Sequence, residues 1–137
     1  MFSFKTLTGA LASFATLQGV SAYLDGFTVP STAFAGRTIS VQSQASIYIQ
    51  QEFEYGIVWG LYGHFAPCDT CVGTPIQYTN IYGEASYADG QATTQVTIPA
   101  DTTAGNYEFV AAIPALAGVS GEMSTRYFRY NITISSA

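Results

Sequence analysis

Beyond residue 22 this chain contains no lysine. Three arginines, Arg37, Arg126 and Arg129, stand there against nine carboxylates, a net charge of −6 with His64 neutral. So few cations cannot neutralise a nucleic-acid backbone, and anionic lipid should repel the chain. The missing lysines read either as compositional drift or as a surface that offers ubiquitin ligases nothing to modify in a host cytosol. Histidine occurs once, at His64, and cysteine twice, at Cys68 and Cys71. Two thiols and one imidazole fall short of a four-ligand zinc site. There is no Gly-x-Ser-x-Gly elbow, and no phosphate loop or EF-hand pattern. No cofactor is implied. With charged residues at only 9%, Tyr, Thr, Ser, Gln and Gly carry the solubilising role. Antibody paratopes use that palette for recognition, and extracellular all-β domains share it.

Residues 1–22 differ from everything after them. Lys5 is the one charge in a short head, and no other appears before Val20. Leu7, Ala10, Leu11, Phe14, Leu17 and Val20 supply the apolar body, and Ser21 and Ala22 are small. This is the layout of a secretory signal cleaved between Ala22 and Tyr23. A buried N-terminal helix would need a polar face, and a membrane span needs about 20 apolar residues. The expected organisation is a signal peptide at 1–22 and one domain at 23–137, of a size that can bury a core. The C-terminal residues lack the apolar tail of a GPI signal. A secreted, unanchored protein is expected.

Helical periodicity is poor from Tyr23 onward, and two-residue alternation is common. Expected strands are Leu24–Val29, Arg37–Ala45 with Ile39 and Val41 on one face, Glu54–Tyr62, Ile76–Tyr87 with a break at Gly83, Gln91–Ile98, Tyr107–Ile113 and Met123–Ile134. Ala92, Thr94, Val96 and Ile98 should point inward. Residues 63–75 and 114–121 read as loops, the second with room for one helical turn. Asp89 and Gly90 signal a hairpin. About seven strands, with turns near every ten residues, make an immunoglobulin-like antiparallel β-sandwich. In such folds a Trp is buried between the sheets, here Trp59. A Tyr at the corner entering the penultimate strand bonds backbone across the corner, here Tyr107. The inner position two residues on is Phe109 in place of Cys, so no inter-sheet disulfide can form.

In an exported chain Cys68 and Cys71 should be oxidised. A bridge over so short a loop adds about 2 kcal/mol. No adjacent helix is present to lower a thiol pKa, which argues against redox exchange. Glu52 and Glu54 would share one face of a strand, either as a carboxylate pair or on a solvated edge. Copper-dependent oxidative polysaccharide enzymes need an N-terminal His, and the mature chain would begin with Tyr23. Asn131 opens a glycosylation sequon with Thr133. Tyr130, Ile132 and Ile134 lie opposite it in parity, which suits an outward Asn131.

The chain resembles the necrosis-inducing secreted protein family of fungal effectors, the Nis1-like proteins. The residues that carry the resemblance are Val29-Pro30, Ala35-Gly36, Tyr55-Gly56, Ile98 to Ala100, Ala104 to Tyr107, Ala111 to Ile113, and the aromatic-rich final strand Tyr127 to Ile134. The Cys68–Cys71 loop is not among the matching features. The resemblance implies a secreted effector that binds and inhibits plant immune receptor-associated kinases, suppresses host defence, can induce necrosis, and can enter host cytoplasm.

A non-enzymatic recognition protein, expected to be monomeric, is the resulting expectation. Its tyrosines exceed the needs of one small core, and Tyr48, Tyr55, Tyr62, Tyr78, Tyr82 and Tyr87 are the candidate partner-binding residues. One alternative is a module that binds cell-wall polysaccharide through exposed Tyr and Trp59. Another is a small hydrolase resting on His64. Protein recovered from culture medium should begin at Tyr23 on N-terminal sequencing; a chain still carrying residues 1–22 would overturn the export signal.

Overall fold

The structure, a computed structural model, describes residues 21–48, 52–63, 66–88, 92–118 and 120–137. His64, Asp89 and Gly90 lie outside the described residues, as do residues 1–20 of the expected signal. Nine strands and one helical turn are described: β1 (Ser21–Thr28), β2 (Thr32–Phe34), β3 (Thr38–Tyr48), β4 (Glu52–Glu54), β5 (Gly56–Gly63), β6 (Thr74–Asn80), α1 (Ala85–Ala88), β7 (Thr93–Thr97), β8 (Gly105–Ala117) and β9 (Glu122–Ser135). They form two sheets, β1-β3-β7 and β2-β9-β8-β5-β6, with β4 paired to β8. All pairings are antiparallel except β2 with β9. This is an immunoglobulin-like sandwich, as its alternation implies.

Alternation places the core. Ile39 and Val41 of β3, and Ala92, Thr94, Val96 and Ile98 on and around β7, are all buried. From the larger sheet come Ile57, Trp59 and Leu61 of β5, Phe109, Ala111 and Ile113 of β8, and Ile132 and Ile134 of β9. Trp59 is fully buried and donates its indole N–H to Thr79 Oγ1 at 2.9 Å. Phe109 packs beside it, with ring centres 5.4 Å apart. Phe27 meets Trp59 edge-on from the other sheet. These rings fill the volume that an inter-sheet disulfide occupies in antibody domains. The Tyr107 hydroxyl donates to the Thr103 carbonyl at 2.6 Å, the tyrosine corner expected at the start of β8.

Two expected boundaries are corrected and one strand is added. The segment Ile76–Tyr87 is not one strand: β6 ends at Asn80, a turn through Gly83 follows, and α1 carries Tyr87 inward. The chain here passes from one sheet to the other, so β6 and β7 do not form a hairpin. Pro114 does not end β8, which runs on to Ala117. A strand residue points its N–H and C=O to the same side, and the Pro114 carbonyl accepts from Tyr55 N–H, between β4 and β5. The missing Pro114 donor therefore faces a gap in the ladder and costs no bond to β9. Finally, β2 is added to the expected set. It follows Pro30, where the chain crosses between sheets, and it ends at a turn where Gly36 takes φ +81°.

Edge strand β1 bulges between Leu24 and Gly26. Two amides beside the bulge find acceptors in the opposite sheet. Leu24 N–H donates to Glu54 Oε1 at 2.8 Å, and Phe27 N–H donates to the Tyr130 hydroxyl at 2.7 Å. Burial pushes the Tyr130 phenol above its ordinary value, against the opposing pull of the Phe27 amide. Glu54 is not on a solvated edge. Its carboxylate is 1% exposed and pairs with Arg126, whose guanidinium lies 4.0 Å over the centre of the Tyr23 ring. Removing one member of a buried pair strands the other. Glu54→Ala should lower unfolding free energy by about 3 kcal/mol in urea denaturation. Glu54→Gln should cost less, because its amide oxygen still accepts from Leu24. A loss within experimental error for Glu54→Ala would remove this account.

Candidate functional site

The inner face of the large sheet is core, so any site on that sheet lies on its outer face. Register defines that face row by row. Tyr78, Val58, Ala112 and Tyr127 stand opposite one another across β6, β5, β8 and β9. Phe53, Leu116 and Met123 form a second row across β4, β8 and β9. Gly60, Val110 and Arg129 form a third, and Tyr62, Glu108 and Asn131 a fourth. From Val110 to Leu116 the outer positions of β8 are thus as apolar as its inner ones.

The third and fourth rows are largely covered by the segment that carries the Cys68–Cys71 disulfide. Val72 sits directly on Gly60, where a Cβ would overlap the Val72 carbonyl. Glycine permits this close approach. The Tyr62 hydroxyl donates to the Ala66 carbonyl. Arg129 donates to the Asp69 carbonyl at 3.4 Å, pairs with Glu108 at 3.3 Å, and lies 5.2 Å over the centre of the Tyr62 ring. Val110 is fully buried beneath this arrangement.

The first two rows stay open. Tyr78 is 58% exposed and Tyr82 53% exposed. Tyr82 stacks on Tyr55 with ring centres 4.8 Å apart, and Phe53 meets Tyr82 edge-on. Tyr78 leans over Gly56, where a side chain would collide with its ring. Phe53 and Met123 are exposed beside them. The result is an open half of the sheet on which several aromatic and aliphatic side chains stand exposed.

The structure therefore divides the six candidate tyrosines. Tyr55, Tyr78 and Tyr82 are brought together on the open half. Tyr62 is held under the disulfide segment. Tyr87 is a core residue, 7% exposed, bonded to the Thr94 hydroxyl; α1 turns it inward, so it does not belong to a binding surface. Tyr48 ends β3, and its side chain lies outside the described residues, as does that of Glu52. Asn131 is exposed at the far end of the same outer face, where Thr133 donates to Asn106 instead. Trp59, offered above as a sugar-stacking ring, is enclosed between the sheets. Phe53, Leu116, Met123 and Tyr127 were not among the candidates. Their signal was the unbroken apolar run Val110 to Ile113, which marks a strand apolar on both faces.

Among the described residues no three His, Cys, Asp or Glu side chains gather as a metal site would require. No described helix is long and apolar enough to cross a membrane. The sequence model of the Nis1 family matches residues 20–133. No curated protein matches. Among solved structures, a superoxide reductase (neelaredoxin) from Ignicoccus hospitalis is similar at 11% identity and a TM-score of 0.48, covering 83% of this chain and 82% of its own. A variant of that reductase is similar at 11% identity and a TM-score of 0.49, covering 84% and 82%. Neither likeness carries chemistry to this chain. Gly60→Ala should lift the disulfide segment from the sheet, lower stability by about 1–3 kcal/mol, and speed reduction of the bridge by dithiothreitol. Unchanged melting and unchanged reduction would mean that the segment is not seated on β5.

Proposed function

The chain belongs to the Nis1 family, and from that premise we propose that it is a secreted fungal effector that grips a host protein and does not transform a small molecule. The proposed targets are plant immune receptor-associated kinases, which it binds and inhibits, suppressing host defence and inducing necrosis in some settings. The family match over residues 20–133 carries this reading. The open aromatic patch supports recognition as its mode of action, since exposed tyrosines provide large contact area at low entropic cost. Trp59 is buried, which removes the ring most suited to stacking on a sugar and weakens the cell-wall-binding alternative.

The test uses purified mature protein with the cytoplasmic domains of immune receptor-associated kinases. Co-precipitation and a loss of substrate phosphorylation are expected. Absence of both, across several such kinases, would overturn the proposal.

A further inference from the structure

The covered half of the outer face is closed by a segment whose disulfide is placed to control it. Val110 is fully buried yet stands apart from the inter-sheet core, because its side chain is covered from the outer side of β8. Residues 66–73 provide that cover between β5 and β6, and none of them is itself buried. A segment with so little buried surface opens locally at low cost. Its moorings are groups of the sheet. The Tyr62 hydroxyl donates to the Ala66 carbonyl, and Arg129 donates to the Asp69 carbonyl at 3.4 Å. Val72 rests on Gly60, and Gly73 takes φ +76° at a place where a side chain would strike the Leu61 carbonyl. The Cys68–Cys71 bridge closes the turn through Asp69 and Thr70, so it fixes the carbonyl that Arg129 reaches.

We infer that residues 66–73 form a redox-gated strap: with the bridge intact it is closed on the sheet, and with the bridge reduced it lifts and uncovers Val110, Tyr62 and Arg129. The cause is entropic. A bridge between residues three apart limits the freedom that the segment gains on leaving the sheet. Its loss shifts the strap toward the open state by about tenfold or more. The reductant is a small thiol of the glutathione class. Its thiolate attacks one sulfur of the bridge, which breaks the S–S bond, forms a mixed disulfide and releases the other cysteine as a thiolate that takes up a proton. A second thiol attacks the mixed disulfide and frees the first cysteine. Two cysteine thiols result, and the two small thiols leave as one disulfide. Both cysteines are partly exposed, so an attacking thiolate reaches them. An oxidising exterior keeps the strap shut, and a thiol-rich cytosol opens it. The Phe27, Trp59 and Phe109 rings lie on the inner side of the sheet, so the sandwich persists in both states. The inference needs no partner and stands apart from the kinase reading.

The test compares the oxidised mature protein with the double variant Cys68→Ser, Cys71→Ser. Phenylglyoxal modification of each arginine is followed by mass spectrometry, with Arg37 and Arg126 as internal references. Arg129 should react about tenfold faster in the double variant, while Arg37 and Arg126 keep their rates and thermal unfolding remains a single transition. Amide hydrogen exchange should quicken across residues 66–73 and stay unchanged in β8 and β9. Separately, thiol trapping after incubation of wild type with millimolar reduced glutathione should show both cysteines free. Equal Arg129 rates with unchanged exchange in the strap would mean that the bridge does not hold it closed, and would overturn the inference. Faster reaction of all three arginines with loss of the cooperative transition would make the bridge a staple of the whole fold and overturn the local strap. A bridge that stays oxidised in glutathione would remove the redox gate.

Discussion

Glu54 places a carboxylate between two sheets, and the closure of the sandwich at that end is organised around it. Oε1 accepts the Leu24 amide beside the β1 bulge, and the same carboxylate pairs with Arg126 of β9. An edge strand presents backbone groups that must find partners or water. Here Glu54 supplies one acceptor, and the Tyr130 hydroxyl supplies another to Phe27. Three distant segments, β1, β4 and β9, are thereby held at one place. Charge buried without a partner would be costly, and a chain with so few arginines commits one of them to this task.

The aromatic core and this polar tie divide the work. Phe27, Trp59 and Phe109 fill the middle of the sandwich and supply non-directional burial. The Glu54 and Tyr130 bonds fix how β1 sits over the larger sheet. With the inner face occupied in this way, the large sheet is left with an outer face that is also apolar. The disulfide segment covers the half around Gly60 and Val110. The half around Tyr78 and Phe53 remains solvent-facing, and exposed apolar surface of that kind marks interaction sites.

Much of the fold was legible in short-range pattern. Alternation in β3 and around β7 placed Ile39, Val41, Val96 and Ile98 inside. The spacing of Gly105, Tyr107 and Phe109 announced the corner and the core ring after it. Element boundaries were less legible where a local signal had a tertiary remedy. Pro114 reads as a strand end, yet its missing donor faces a break between β4 and β5. Three-residue β2 is too short for alternation to register, and its bonds are to β9, about a hundred residues away. Tyr87 and Tyr82 are chemically alike and five residues apart, but one lies on α1 facing the core and the other at the turn beside Tyr55.

The sequence alone determined the class of the molecule: a charge-poor β-sandwich, built by two-residue alternation, with one Trp between its sheets and a tyrosine corner. Alternation is local, because each strand residue inherits its face from its neighbours. Which tyrosines meet solvent, which glutamate is buried, and which half of the outer face the disulfide segment covers were decided only by the tertiary structure. Those outcomes depend on contacts between residues far apart in the chain, such as Glu54 with Arg126 and Gly60 beneath Val72, and no spacing rule within a strand encodes them.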